Sequence, residues 1–252
     1  MPVAAAMVAE DRPGWNDGVF LVDKPAGMTS FAIVRRIRRL LGIKKVGHAG
    51  TLDPFASGLL IVCVGRPATR QVELFMAGRK VYRARLQLGV ETTTLDPEGS
   101  VIATCPVPEL DETALMACLR RHVGPQMQAP PPFSAAKHQG KPLYVYARRG
   151  VLIEKAAKPI EIFRLDLVAY DADAKQLDVE IECGRGAYIR VLAADIGRAL
   201  GCGAHLVGLR RTRSGRFAVE DCLPGEGLFT DNGLHLLHAQ RRDCAEVVQP
   251  AG

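Results

Sequence analysis

Between Ser30 and Leu41 the apolar residues recur every three or four positions. Ile33, Val34, Ile37, Leu40 and Leu41 share one face of a helix, and Arg35, Arg36, Arg38 and Arg39 fall on the other. Thr29 or Ser30 can cap its start, and Gly42 stands where a helix stops. The spacing therefore predicts a helix anchored in a core, with an arginine-covered outer face. Ahead of it, Gly18 to Lys24 reads as a short strand closed by a Pro-Ala-Gly turn.

Other segments keep strand character. Leu59 to Val64 is a continuous apolar run, which suits a buried strand, and Val81 to Gly89 alternates as a half-exposed one. Ile160 to Tyr170 and Leu177 to Cys183 predict further strands. Helices are expected over Asp111 to His122 and from about Tyr188 to Leu200, with Gly201 as the stop, and a Pro-rich loop over Pro125 to Pro132. Strands outnumber crossover helices, so a repeated βαβ plan is excluded and an α+β fold is expected, with a mixed, largely antiparallel sheet covered by helices. No repeat or low-complexity linker divides the chain. The expected division is a tail over residues 1–17, one domain over 18–220 and a short C-terminal tail over 221–252.

Composition bounds the setting. The longest uncharged apolar run, Gly58 to Gly65, is too short to cross a bilayer, and the N-terminus lacks the basic start of a signal peptide. Seven scattered cysteines show no CxxC spacing, as expected of reduced thiols in the cytoplasm. The net charge of +6 is unevenly placed: seven Lys or Arg and no acid lie between Lys24 and Leu52, and seven Arg against Asp195 alone between Cys183 and Val219. Two basic regions on an otherwise acidic chain suit a polyanionic partner, although basic runs are commonly just solvated faces.

Candidate chemistry is sparse. No P-loop, GxSxG, HExxH or complete GxGxxG occurs, and the six histidines lack metal-ligand spacing, so neither a metal nor a cofactor is expected. One acid stands out. Asp53 lies in Gly47-His48-Ala49-Gly50-Thr51-Leu52-Asp53-Pro54, where glycines permit a tight fold and Pro54 stops regular structure just before an apolar strand. Taken alone, this stretch reads as an Asx turn or a cap rather than a site.

The run Gly47 to Leu60 strongly resembles the central motif of the TruB family of tRNA pseudouridine-55 synthases. The likeness extends from about Gly18 to Glu220 in family order. It includes Val22 to Ser30, Lys80-Val81-Tyr82 with Leu88-Gly89, Pro131 to Lys137, Gly140 to Tyr144, Cys183 to Arg190 and Leu200 to Leu206. The resemblance implies the pseudouridine synthase fold and an isomerase that flips uridine 55 out of the tRNA T-arm and rejoins its base through C5. It makes Asp53 the essential carboxylate, Arg190 its counter-charge, Tyr82 the ring that stacks on the base and Tyr188 a second pocket tyrosine with a part in proton transfer. Leu209 becomes an apolar wall, and His48 helps to hold the flipped RNA. Lys24, Arg35, Arg36, Arg39, Arg210 and Arg211 are the expected RNA contacts. Physically, a nucleophilic or electrostatic carboxylate suits the chemistry, because the reaction gains no atom and changes no redox state. Arg190 near a helix start opposes the helix dipole, which favours a pairing over a surface role.

Three departures from the family pattern bear on these expectations. Thr92-Thr93-Thr94 stands where the family usually has Thr-Asp-Thr, Phe133 replaces a commoner tyrosine, and the 32 residues after Glu220 are too few for an RNA-binding domain of PUA type. The expected partner is tRNA, with no membrane and no obligatory protein partner, acting as a monomer in the cytoplasm. The competing readings are a synthase acting on another RNA and an RNA chaperone without catalysis. A membrane-surface protein has only the basic helix in its favour.

Overall fold

The computed structural model describes residues 15–248, so the expected tail at residues 1–14 lies outside the described residues. Its strands are β1 Gly18–Lys24, β2 Val46–Ala49, β3 Ser57–Val64, β4 Lys80–Leu88, β5 Val90–Thr92, β6 Val101–Thr104, β7 Gly124–Gln128, β8 Lys137–His138, β9 Lys141–Pro142, β10 Lys158–Asp171, β11 Gln176–Cys183, β12 Ala204–Ser214, β13 Phe217–Ala218 and β14 Leu223–Pro224. Its helices are α1 Ser30–Leu41, α2 Gly65–Arg70, α3 Val72–Ala77, α4 Glu112–Arg120, α5 Leu143–Ala147, α6 Ile189–Ala199, α7 Gly233–Ala239 and α8 Cys244–Val248. The main sheet runs β14-β1-β3-β12-β4-β11-β10-β7, with β2 beside β3 and β13 beside β12. Only β1–β14 and β12–β3 pair in parallel. The α+β fold with a mostly antiparallel sheet is the one expected.

Two largely antiparallel halves meet at the β12–β3 seam, where just Arg210–Ser57 and Arg211–Gly58 pair. Gly58 is required there: its φ is +104°, and a Cβ would lie 2.3 Å from the Arg211 carbonyl oxygen. Alternation along β4 and β11 separates the two faces of the sheet. Tyr82, Ala84, Leu86, Leu88, Leu177, Val179 and Ile181 are buried on the helix side. On the opposite side Arg83, Arg85 and Arg164 alternate with Asp178, Glu180 and Glu182 in a lattice of ion pairs, among them Arg85–Asp178 at 2.7 Å and Arg164–Glu180 at 2.6 Å. The open groove of about 650 Å³ on this side is lined by the same interleaved charges. Exposed pairs of this kind add little stability each.

Helix α1 forms as its pattern predicts. Thr29 Oγ1 accepts from the Ala32 amide at 3.0 Å, Gly42 closes the helix at φ +68°, and Ile33, Val34, Ile37 and Leu41 enter the core. Ser30 does other work: its hydroxyl accepts from the Leu52 amide at 2.9 Å and donates to the Leu52 carbonyl at 3.0 Å. The cap and the tether to the Asp53 loop are thus adjacent residues.

The C-terminal region corrects the expected tail at 221–252, and the expected domain end at Glu220 moves with it. Within the described part, β14 joins the main sheet, and Leu223, Leu228 and Leu237 are fully buried in the main core cluster. Cys244 and Val247 pack in a second cluster against β1 and β3. Residues 15–17 are also part of the fold, since Trp15 stacks on Phe20 and His238, and Asp17 binds Arg241 at 3.2 Å. The leucines of this region complete the core of the large domain. Replacing Leu237, which is fully buried, by alanine is expected to destabilise the protein by about 2–5 kcal/mol. Urea unfolding checks this, and a change within about 0.5 kcal/mol, as at a surface site, would restore the tail.

Candidate active site

The Asp53 loop is gripped on both sides of the acid. Ser30 holds Leu52, as above. Lys24, fully buried, donates from Nζ to the carbonyls of Pro25 at 2.8 Å, Met28 at 2.6 Å and Pro54 at 3.3 Å. The Gly27 amide donates to the same Pro54 carbonyl at 2.8 Å. Lys24 therefore fixes backbone rather than meeting RNA, which corrects its assignment as an RNA contact. Its ammonium is brought down to about 8 by burial, although Asp53 opposes the shift.

Asp53 meets Arg190 across 137 residues of chain: Arg190 Nε is 2.8 Å from one carboxylate oxygen and Nη2 is 3.3 Å from the other. Arg190, the second residue of α6, is 3% exposed, and its remaining N–H groups donate to the carbonyls of Thr94 and Phe133, each at 2.8 Å. Asp96, also buried, approaches Nη1 at 3.3 Å. Two carboxylates and two carbonyls thus share one buried guanidinium, and stripping such a cation of its partners is costly. Burial pushes the Asp53 carboxyl above the ordinary range; Arg190 opposes this and Asp96 reinforces it. Asp96 was missed in the sequence, where attention fell on Thr93. Thr94 Oγ1 donates to the Asp96 carboxylate, so a charge stands on this loop three residues past Thr93.

Around this pair lies a cavity of about 190 Å³ lined by Asp53, Tyr82, Ser134, Tyr188, Arg190, Leu209 and Arg211. That is below the ~300 Å³ of sites for drug-sized ligands, a volume suited to one base rather than several. Tyr82 and Leu209 are each 9% exposed, on the neighbouring strands β4 and β12. Burial raises the Tyr82 hydroxyl. Tyr188 caps α6, and buried Gln128 fixes its backbone by accepting from the Tyr188 amide at 2.7 Å and donating to its carbonyl at 3.2 Å. Gln128 lay in the stretch expected to be a loop, where only the Pro-rich half is one.

The RNA-contact assignments divide. His48 sits on β2, not in a loop, and burial, aided by Arg211, lowers its imidazole and so favours the neutral form. Arg35 and Arg39 are exposed on α1. Arg36 instead donates to the carbonyls of Leu228 and Thr230 and holds the C-terminal segment. Arg210 makes a two-pronged pair with Asp23 at 2.7 and 3.0 Å. Arg211, expected to contact RNA, is 1% exposed, so it offers no side chain to RNA at the outer surface. Helical periodicity and motif position pick out these arginines, and neither reports depth away from α1.

With this geometry in hand, the chain's relatives are informative. Residues 38–189 match the TruB family pseudouridylate synthase (N terminal domain), and residues 190–232 match the tRNA pseudouridylate synthase B C-terminal domain. A tRNA pseudouridine synthase B of Desulfotalea psychrophila is 56% identical over 88% of this chain and 92% of its own length. One from Chlamydia trachomatis is 44% identical over 93% and 95%, respectively. One from Aromatoleum aromaticum is 47% identical over 82% of this chain but 66% of its own length. Among solved structures, a Cbf5-Nop10-Gar1 complex contains a chain that superposes with a TM-score of 0.68 at 26% identity, covering 92% of this chain and 62% of that one. The chain spans about three-fifths of that solved relative's length. The motif order, the fold and the matched lengths agree: the chain belongs to the TruB family of pseudouridylate synthases and is an isomerase.

Proposed function

We propose that the protein converts uridine 55 in the T-arm of tRNA to pseudouridine, with Asp53 as the essential carboxylate. The names of the relatives supply the substrate; the pairing of Asp53 with Arg190 beside a base-sized cavity carries the chemical reading. A uridine inside a stacked arm is out of reach, so it must be flipped outward to enter. Tyr82 offers its ring to the base, a contact worth about 1–3 kcal/mol, and Leu209 closes the other side. Asp53 acts at the nucleotide once it is seated, and Arg190 keeps the carboxylate oriented and ionised. Tyr188 stands where it can handle the proton lost from C5. Exposed Arg35 and Arg39 meet phosphates, and His48 holds the displaced RNA. The isomerisation neither gains nor loses atoms overall, so these side chains supply the groups it needs.

Incubating unmodified tRNA with the wild type and with Asp53→Asn, then mapping pseudouridine by carbodiimide and primer extension, tests the reading. Product at position 55 is expected from the wild type, with a loss of at least about 10³-fold in the variant. Equal product from both would remove Asp53 from the chemistry, and tRNA binding without product by the wild type would favour a chaperone. The pH profile offers a second check. The ionised carboxylate is the active form, and the Asp53 carboxyl lies above its ordinary range partly because of Asp96. The single-turnover rate therefore falls as pH drops through that raised value. In Asp96→Asn the acid limb is expected to move to lower pH, and an upward shift would contradict the geometry.

A further inference from the structure

Arg211 is the largest fully buried side chain among the described residues, and its partners are unusual for a buried cation. Nε donates to the Leu59 carbonyl at 2.7 Å and Nη2 to the Gly50 carbonyl at 3.0 Å. Tyr82 lines the same cavity as this guanidinium. Both hydrogen-bond partners are neutral carbonyls. Among the described residues no carboxylate forms an ion pair with it, whereas Arg190 in the same cavity has two. The neighbouring charged side chains Lys24 and Lys80 are cations as well, both brought down to about 8 by burial, with Arg211 contributing.

Keeping a charge out of water without a counter-ion is costly. Local architecture nevertheless conforms to this one. Gly50, at φ +89°, would place a Cβ 3.3 Å from Arg211 Nη1, and Gly58 leaves room for the Arg211 backbone. These glycines flank Asp53 in the motif, so the motif is shaped around Arg211 as well as around the acid. A fixed, buried positive charge facing a cavity is suited to an anion that exists only during a reaction, because the stabilising group is already oriented when the charge develops.

We propose that Arg211 is that group: its guanidinium stabilises the uracil anion while the base is detached from the ribose. This rests on the pseudouridine synthase reading above. When the bond from N1 to C1′ breaks, its electron pair leaves with the base and spreads over N1 and the two carbonyl oxygens. The base turns, C5 supplies the electron pair that bonds C1′, and the proton released from C5 is matched by one taken up at N1. Arg211 donates hydrogen bonds throughout and keeps its protons. Arg190 holds the carboxylate at the sugar side, and Arg211 holds the charge of the departing base.

The test compares the wild type, Arg211→Met and Arg211→Lys on T-arm stem-loops carrying uridine or 5-fluorouridine at the target, under single-turnover conditions. Consumption of the target nucleoside is read from digests, and circular dichroism monitors folding. Fluorine withdraws electrons and stabilises the detached anion, so a fluorinated base needs less help from the protein. Arg211→Met is expected to slow uridine about 100-fold and 5-fluorouridine roughly ten times less severely. An equal loss on both substrates would overturn the proposal and leave Arg211 a purely structural residue. If the methionine variant does not fold, Arg211→Lys decides by the same ratio, since it keeps a charge but loses the forked donors. A smaller loss on the fluorinated base supports the proposal, and an equal loss sinks it. Wild-type protein that forms no pseudouridine on the uridine stem-loop would instead overturn the enzymatic reading itself, and this proposal with it.

Discussion

The fold depends on one buried ion pair. Asp53 and Arg190 come from the two ends of the domain, and the guanidinium also gathers Thr94, Asp96 and Phe133. Charges removed from water need partners at close range, so this pair requires the β3 loop, the β5–β6 hairpin, the segment after β7 and the start of α6 to converge. Lys24 and Ser30 then make the Asp53 loop rigid by holding the residues on either side of the acid. A carboxylate raised by burial and restrained chiefly by Arg190, with Lys24 behind it, is a poor structural device and a useful chemical one.

Three groups of arginines follow three different electrostatic rules. On the exposed side of the sheet Arg83, Arg85 and Arg164 neutralise neighbouring acids in water, where the interactions are weak. Arg190 is buried and saturated by acceptors, two of them charged. Arg211 is buried with neutral acceptors only. The cavity is therefore lined both by the charge-compensated Asp53–Arg190 pair and by the uncompensated cation of Arg211. That arrangement matches a reaction in which a base leaves one sugar position with an electron pair and returns through another atom.

Much of this was legible in the chain. The 3.6-residue period of α1, its Thr29 cap and its Gly42 stop describe the helix within a residue, and the apolar run before Val64 identifies β3. Asp53 and Arg190 were recognisable through their motifs, and their pairing was an expectation that the geometry bears out. Other features had no local signal. β12 carries three arginines in eleven residues and breaks register twice, between Leu206 and Gly208 and between Arg211 and Arg213, so alternation does not reveal it. Lys24 and Arg211 were grouped with surface cations because composition gives sign but not depth. Asp96 and Gln128 act through partners 94 and 60 residues away, distances at which neither spacing nor propensity reports contact. The leucines after Glu220 looked like a tail because their partners, α1 and β1, lie at the other end of the sequence.

The central claim is that Arg190 sets the ionisation of Asp53 for catalysis. The pH dependence of the single-turnover rate in Arg190→Gln, measured beside the wild type, tests it most directly. Loss of the cation should leave only the smaller pull of Lys24 against burial and Asp96, so the acid limb should move to higher pH and the plateau rate should fall. A limb that stays in place, or moves to lower pH, would contradict the account.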